Sequence, residues 1–278
     1  IVEVNDHYPR TVGLLPEHPH SLHVDDVDVI VVGEKPPFVL EDSPPTEVEQ
    51  AIAEHARRYI DDGCTLQTGI GAVPSTVVSS LAEGDGGDYG VHSEMFTTGL
   101  MHLHRAGKVT NARKTQFRGF SVATFAMSKN ELYEWIDGND EVRFLPVDVV
   151  NAPHTIARNY RIVSLNGALG IDLLGQVAAD RVGARQFSGI GGHEDFVAVS
   201  GLQLEDRSLI CLPSTAEVDG VTVSRIVTAL PVGSTVTTPR HQVDVVITEH
   251  GAAELRGATT RERARALAAI AAPEFREE

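Results

Sequence analysis

Residues 64–75 read CTLQTGIGAVPS. A short β-prone run, Cys64 to Thr68, leads into Gly69 and Gly71, and these lead into a segment able to start a helix. Glycine opens backbone conformations closed to other residues. Pro74 suits a first helical turn, where its missing N–H would have no partner. PSTVVSSLAEG (74–84) then continues as the helix. Strand, glycine turn and helix together form the repeating unit of a parallel, layered sheet.

The same rhythm extends in both directions. Upstream, Thr46 and Glu49 have the T-x-x-E spacing of a capping box, and Val48, Ile52, Ala56, Tyr59 and Ile60 follow helical periodicity. Downstream, YGVHSEM (89–95) reads as a strand and FTTGLMHLHRAG (96–107) as a helix. FSVATFAM (120–127) and VRFLPVDVV (142–150) read as strands around a helix at 128–139, capped by Ser128 and Glu131. YRIVSLNGALGIDLLGQVAAD (160–180) reads as two strands around Asn166-Gly167. SLICLP, VSRIVTALP and HQVDVVITE add strands, and residues 259–275 form a closing helix. The expected fold is therefore α/β, with a layered and mostly parallel sheet. Residues 1–45 differ: they hold seven of the 14 prolines, and EKPPFVLEDSPPTEVE (34–49) reads as a linker. The expected organisation is the tail of a preceding domain over 1–45 and a complete domain over 46–278.

Composition excludes several classes. The 278 residues carry a formal charge of −16, which disfavours a phosphate-backbone grip. No apolar run approaches the roughly 20 residues that span a bilayer. The two cysteines, Cys64 and Cys211, lie in apolar runs and read as buried free thiols of a reducing, cytoplasmic setting.

Three segments can carry chemistry. The glycines after Thr68 can cradle an anion on free N–H groups, although Pro74 breaks the dinucleotide spacing G-x-G-x-x-G. A plain strand-to-helix turn is the bland alternative. In GVHSEMFTTG (90–99), Glu94 can serve as nucleophile or base if its surroundings tune it, with His92 able to orient it. Taken alone, Glu94 reads equally as a capping or surface group and His92 as a structural histidine. In QFSGIGGHEDF (186–196), Gly189, Gly191 and Gly192 can present N–H groups to an oxyanion or simply form a sharp turn. His193, Glu194 and Asp195 are ligand types, but three consecutive residues cannot easily face one ion, so no metal is expected.

Taken in order, TGIGAVPS, GVHSEMFTTG, VDVVNAPHTIARN, IVSLNGALGIDLLGQVAAD, RQFSGIGGHEDFV, LPSTAEVDGVTVSRIV, VDVVITEHGAAELRG and the closing helix resemble the acetyl-CoA hydrolase/transferase family over nearly the whole chain. The 4-hydroxybutyrate CoA-transferase branch is the most similar. The resemblance implies a class I CoA-transferase fold, with two α/β domains and the active site between them. It implies transfer of CoA between an acyl-CoA and a short-chain carboxylate through a glutamyl-CoA thioester, with acyl-CoA hydrolysis or a non-catalytic CoA-binding subunit as alternatives. It implies Glu94 as nucleophile. It implies CoA contacts at Gly69, Ile70, Gly71, Ala72, Val73, Gly189, Gly191 and Gly192, with the turn from Asn166 to Leu169 beside the site. Coenzyme A is then a substrate, no cofactor is permanently bound, and a homodimer is usual. Two departures touch the CoA-side loop: His193 stands where the family usually has Gln, and Ala198-Val199-Ser200 replaces Arg-Gly-Ala.

Overall fold

A computed structural model describes residues 1–40, 44–69, 71–199 and 202–277. Its centre is a six-stranded sheet of β1 (Thr65–Thr68), β2 (Gly90–Val91), β3 (Ile162–Gly167), β4 (Arg207–Cys211), β5 (Val245–Thr248) and β6 (Gly251–Glu254), in the order β6-β5-β4-β3-β1-β2. Every pairing is parallel except the antiparallel edge between β5 and β6. β1 and β5 are buried along their whole length, as expected of strands covered on both faces.

The alternation of side chains along a strand divides the core. Leu209, Cys211, Val245 and Ile247 pack with Ile52, Leu66, Val77 and Leu100 on one side of the sheet. Ile210 and Val246, from the same strands, and Leu212 just after β4 pack with Ile171, Val197 and Leu267 on the other. Burying one such aliphatic side chain is worth about 1.5–3 kcal/mol, and both layers are built mainly from them. Cys64 and Cys211 are buried free thiols, as the sequence indicates. No helix among the described residues is long and apolar enough to cross a membrane.

Four of the helices begin where their sequences dictate. α1 (Glu47–Ala56) has the full Thr46–Glu49 capping box. α2 (Ala72–Glu83) starts after Gly71, and Pro74 lies in its first turn. α3 (Thr98–Arg105) is capped by the Thr97 side chain. α4 (Asn130–Ile136) and α5 (His193–Val199) follow, and α6 (Thr260–Ala269) closes the fold with a second capping box, Thr259–Glu262.

Four local expectations change. The box at Ser128 and Glu131 does not form: the Ser128 hydroxyl accepts from Thr98, and Glu131 pairs with Arg105 across the helix interface. Tertiary partners have displaced the local ones. Residues 142–150 split at Pro146 into a strand, Val142–Phe144, and a helical turn, Val147–Val150, because proline lacks the N–H a strand needs. FSVATFAM divides at Thr124 into Ser121–Ala123 and Phe125–Ala126. Asn166 and Gly167 remain in β3, so the chain leaves the sheet at Ala168, one turn later than the asparagine-glycine pair suggests. The strand β6 carries no local sequence signal, since GAAE has little β propensity, and it forms as the antiparallel partner of β5.

In the first 40 residues, strands Val2–Val4 and Ile30–Val32 pair in parallel. Ile1, Ile30, Val31 and Val32 are all exposed. This segment is tied to the body by backbone bonds from Phe144 N to Val12 O and from Gly138 N to Arg10 O, both 2.8 Å.

Candidate active site

The glycine loops and Glu94 converge at the carboxyl ends of the parallel strands, where open α/β sheets bind ligands. Glu94 follows β2 in a short connection held on both flanks. His92 N donates to Leu66 O and Ser93 N to Val122 O, each at 3.0 Å, while Thr124 N donates to Glu94 O at 2.8 Å. The Ser93 hydroxyl lies between Thr68 N and Thr68 O, at 3.3 and 3.2 Å. The backbone under Glu94 is thereby fixed to β1, while Glu94 itself is half-buried.

The carboxylate meets the third glycine segment. Gly192 N donates to Glu94 Oε2 at 2.8 Å. A methyl group at Gly192 would lie 2.3 Å from Glu94 Oε2 and 2.3 Å from Asn151 Nδ2, so only glycine lets the chain come this close. Gly191 has φ +57°, and its absent Cβ would stand 4.0 Å from Glu94 Oε2. Gly189 is exposed, with nothing within 4 Å of its Cβ position. Of the consecutive trio, His193 contacts Thr238 and Asp195 accepts from Asn151, so these side chains turn to separate partners.

The first glycine segment lies one strand over. Gly69 N donates to Leu165 O at 2.8 Å, and a methyl there would crowd Asn166 Oδ1 at 3.2 Å. Gly71 has φ +128°, a conformation that L side chains rarely adopt, and it delivers Ala72 and the buried Val73 into α2. Ile70 lies outside the described residues. Asn166 exchanges two amide hydrogen bonds with Gln67, at 3.3 and 3.2 Å, joining β3 to β1 beneath the loops. Leu169 N donates to Ala178 O at 2.8 Å, placing the Asn166–Leu169 corner at the same sheet edge.

Two residues near Glu94 carry no sequence signal. Asn151, in an unremarkable VVNAP context, is buried against Gly192 and gives its Nδ2 to Asp195 at 3.0 Å. Its Oδ1 is buried with no hydrogen-bond partner among the described residues. Lys114 is a fully buried lysine, its Nζ donating to Val91 O and Phe120 O, both at 2.7 Å. Burial holds its ammonium well below the ordinary lysine range. Neither is distinguishable by spacing from a surface residue of its type.

His92 resolves to the structural reading. It is fully buried, bonds Val150 O at 2.7 Å through Nε2, and packs against Phe117 and Phe196. Burial, followed by the proximity of Lys114, pushes its imidazole down to about 3. His193 is pushed down to about 4, again by burial. Both rings are neutral at pH 7. Ala198 and Val199 are in α5, and Val199 is buried; Ser200 lies outside the described residues.

The family model of the acetyl-CoA hydrolase/transferase C-terminal domain matches residues 129–278. The 4-hydroxybutyrate coenzyme A transferase of Clostridium kluyveri is 43% identical over all of this chain and 62% of its own length. The succinyl-CoA:cyclohexane-1-carboxylate CoA transferase of Geobacter metallireducens is 41% identical with the same coverage. The crystal structure of RipA from Yersinia pestis superposes with a TM-score of 0.90 at 38% identity, over 99% of this chain and 60% of that one. The chain thus spans about three fifths of the length of the relatives it matches.

Proposed function

Because this chain belongs to the acetyl-CoA hydrolase/transferase family, we propose that it transfers CoA between an acyl-CoA and a short-chain carboxylate, with Glu94 as the nucleophile. The observation that carries this reading is the 2.8 Å hydrogen bond from Gly192 N to the Glu94 carboxylate. The naming of the two relatives above as CoA transferases favours transfer over hydrolysis.

The chemistry follows from the atoms. A carboxylate is a weak nucleophile, but a thioester carbonyl is an activated target. Glu94 attacks that carbonyl, the C–S bond breaks, and CoA leaves as a thiolate, giving a mixed anhydride on Glu94. The thiolate attacks the Glu94 carbonyl carbon and expels the acyl group as its carboxylate, leaving a glutamyl-CoA thioester. An incoming carboxylate then runs the two steps backwards and departs as the new acyl-CoA. Each addition at the Glu94 carbonyl places negative charge on a Glu94 oxygen. Gly192 N–H is already aimed at Oε2, and a preorganised donor of this kind is worth roughly 3–4 kcal/mol in other enzymes. CoA is a substrate, held by the loops around Gly69, Gly71 and Gly189. The same reading takes 46–278 as the catalytic domain and 1–45 as part of a preceding one, which the exposed valines and isoleucines of its strand pair support. The buried thiols fit a cytoplasmic setting.

The test is intact mass after incubation with butyryl-CoA, then borohydride reduction and peptide mapping. The reading requires a CoA-sized adduct, lost on reduction, on the peptide containing Glu94. Full turnover by the Glu94→Gln variant would refute it. Release of free CoA at the same rate with and without acetate would make the enzyme a hydrolase.

A further inference from the structure

The loop that presents Gly192 to Glu94 is exposed from Ala184 to Gly191, becomes buried only at Gly192 and is rich in glycine, yet both its ends are fastened by one buried dipeptide far away in sequence. Thr237 and Thr238 are 4% and 0% exposed. At the start of the loop, the Thr237 hydroxyl donates to Asp180 Oδ1 at 2.6 Å and accepts from Ala179 N at 2.9 Å. Asp180 in turn gathers the loop: Gln186 Nε2 reaches its Oδ2 at 3.3 Å and Phe187 N reaches its carbonyl at 2.8 Å. The Gln186 amide also holds Ser188 O at 2.6 Å. At the far end, His193 Nε2 and Thr238 Oγ1 share a hydrogen bond of 2.9 Å. Thr238 also bonds the Glu194 side chain. The dipeptide itself is pinned, since Thr237 N donates to Val177 O at 2.8 Å and Val177 N to Thr238 O at 3.1 Å.

Between these two fastenings run Phe187 to Gly192, with Phe187 50% and Ile190 54% exposed. Fixing one residue's backbone costs about 1–2 kcal/mol, and glycines cost the most. Core packing does not supply that order here, because the loop's middle touches little. The order comes from its ends. A hydrogen-bond donor to a reacting oxygen must be held within about 0.5 Å, and Gly192 is the residue immediately before His193.

We propose that Thr237–Thr238, with Asp180 and His193, forms a clamp that sets the Gly192 N–H against Glu94, making His193 and Thr238 positioning residues for the reaction. This rests on the reading of Glu94 as nucleophile. Neither side chain contacts Glu94 directly; both act through the backbone of Gly192. The neutral imidazole suits the role, since burial keeps His193 unprotonated down to about pH 4. With the Thr238 proton directed to the Glu194 carboxylate, the His193 Nε2–H is the donor to the Thr238 oxygen. A primary amide at 193 preserves that donor, and alanine does not.

The experiment uses the full-length protein and four variants: Thr238→Val, Thr238→Ser, His193→Ala and His193→Gln. Steady-state kinetics and amide hydrogen exchange at Gly191–His193 are measured on each. The expected result is a kcat lower by about 10- to 100-fold in Thr238→Val and His193→Ala, the scale of a misplaced catalytic contact, with KM for acyl-CoA within twofold. Exchange of the Gly192 amide should quicken in the same two variants. Thr238→Ser and His193→Gln should return both readouts close to wild type. Wild-type kcat in Thr238→Val or His193→Ala overturns the proposal, as does an equal loss in the conservative pair. If Thr238→Val does not fold, the His193 pair decides. If the wild-type protein transfers no CoA, the function reading fails first, and the clamp stands or falls on the exchange rates alone.

Discussion

Gly192 and Glu94 are 98 positions apart in sequence, yet the backbone N–H of one donates to the carboxylate of the other at 2.8 Å, and no side chain larger than hydrogen fits between them. Gly192→Ala places a carbon 2.3 Å from Oε2, so either the loop or Glu94 must move. The expected outcome is a loss of kcat of about a hundredfold, measured against any change in Tm. Gly189→Ala is the informative companion. Nothing lies within 4 Å of its Cβ and its φ is unstrained, so Tm should hold, and a raised KM for CoA then reports a ligand contact at this glycine.

Asn151 lies against the same junction, giving Nδ2 to Asp195 and leaving Oδ1 buried without a partner among the described residues. Asn151→Ala should lower kcat by about a hundredfold, comparable to removing one preorganised donor. Asn151→Asp should be worse, because the donor to Asp195 becomes a carboxylate facing it, beside Glu94 as well. Steady-state assays of both variants with acetate as acceptor check the order. Equal activities would remove Asn151 from the site.

Lys114 ties Val91, three residues before Glu94, to Phe120. Lys114→Met removes the donor that two main-chain carbonyls share, one of them in a buried bond, and a lost buried partner costs about 1–3 kcal/mol. Urea unfolding at pH 9 should show a loss of this order. The sign with pH is also fixed. The folded amine titrates below its unfolded value of 10.5, so between the two values the unfolded chain binds a proton that the folded one does not. Wild-type stability should therefore rise with pH toward 10.5, and the rise should be smaller in Lys114→Met.

The buried histidines set the acid side. His92 titrates at about 3 and His193 at about 4 in the fold, against 6.5 when unfolded. Their contributions are present above pH 6.5 and are lost as pH falls below it, at about 1.4 kcal/mol per pH unit for each proton. Asp206 acts in the opposite sense. Burial raises it to about 6, so its contribution grows as pH falls from 6 toward 3.8. Unfolding free energy should fall from pH 7 to 6 and go on falling below pH 6, at about half the slope that the two histidines alone would give. His193→Gln should remove one histidine's share of the slope, which denaturant melts at half-unit steps can measure.

The sequence alone determined the layered parallel sheet, because the signals for it are local. CTLQT, the capping pair Thr46–Glu49 and the periodicity of α1 are each readable within a few residues and form as read, whereas the closing helix stops at Ala269, short of Phe275. Where a local signal met a stronger distant partner it gave way, as Ser128 did to Thr98. Glu94 and the glycine trio were identifiable as candidates from their own neighbourhoods. What only the tertiary structure decided is that they meet. The contact between Glu94 and Gly192, the intrusion of Asn151, and the fastening of the loop to Thr237 and Thr238 all join residues from different crossovers of the sheet. Periodicity reports which face a residue turns to the core, and it carries no information about which loops a parallel sheet gathers at one end of its strands.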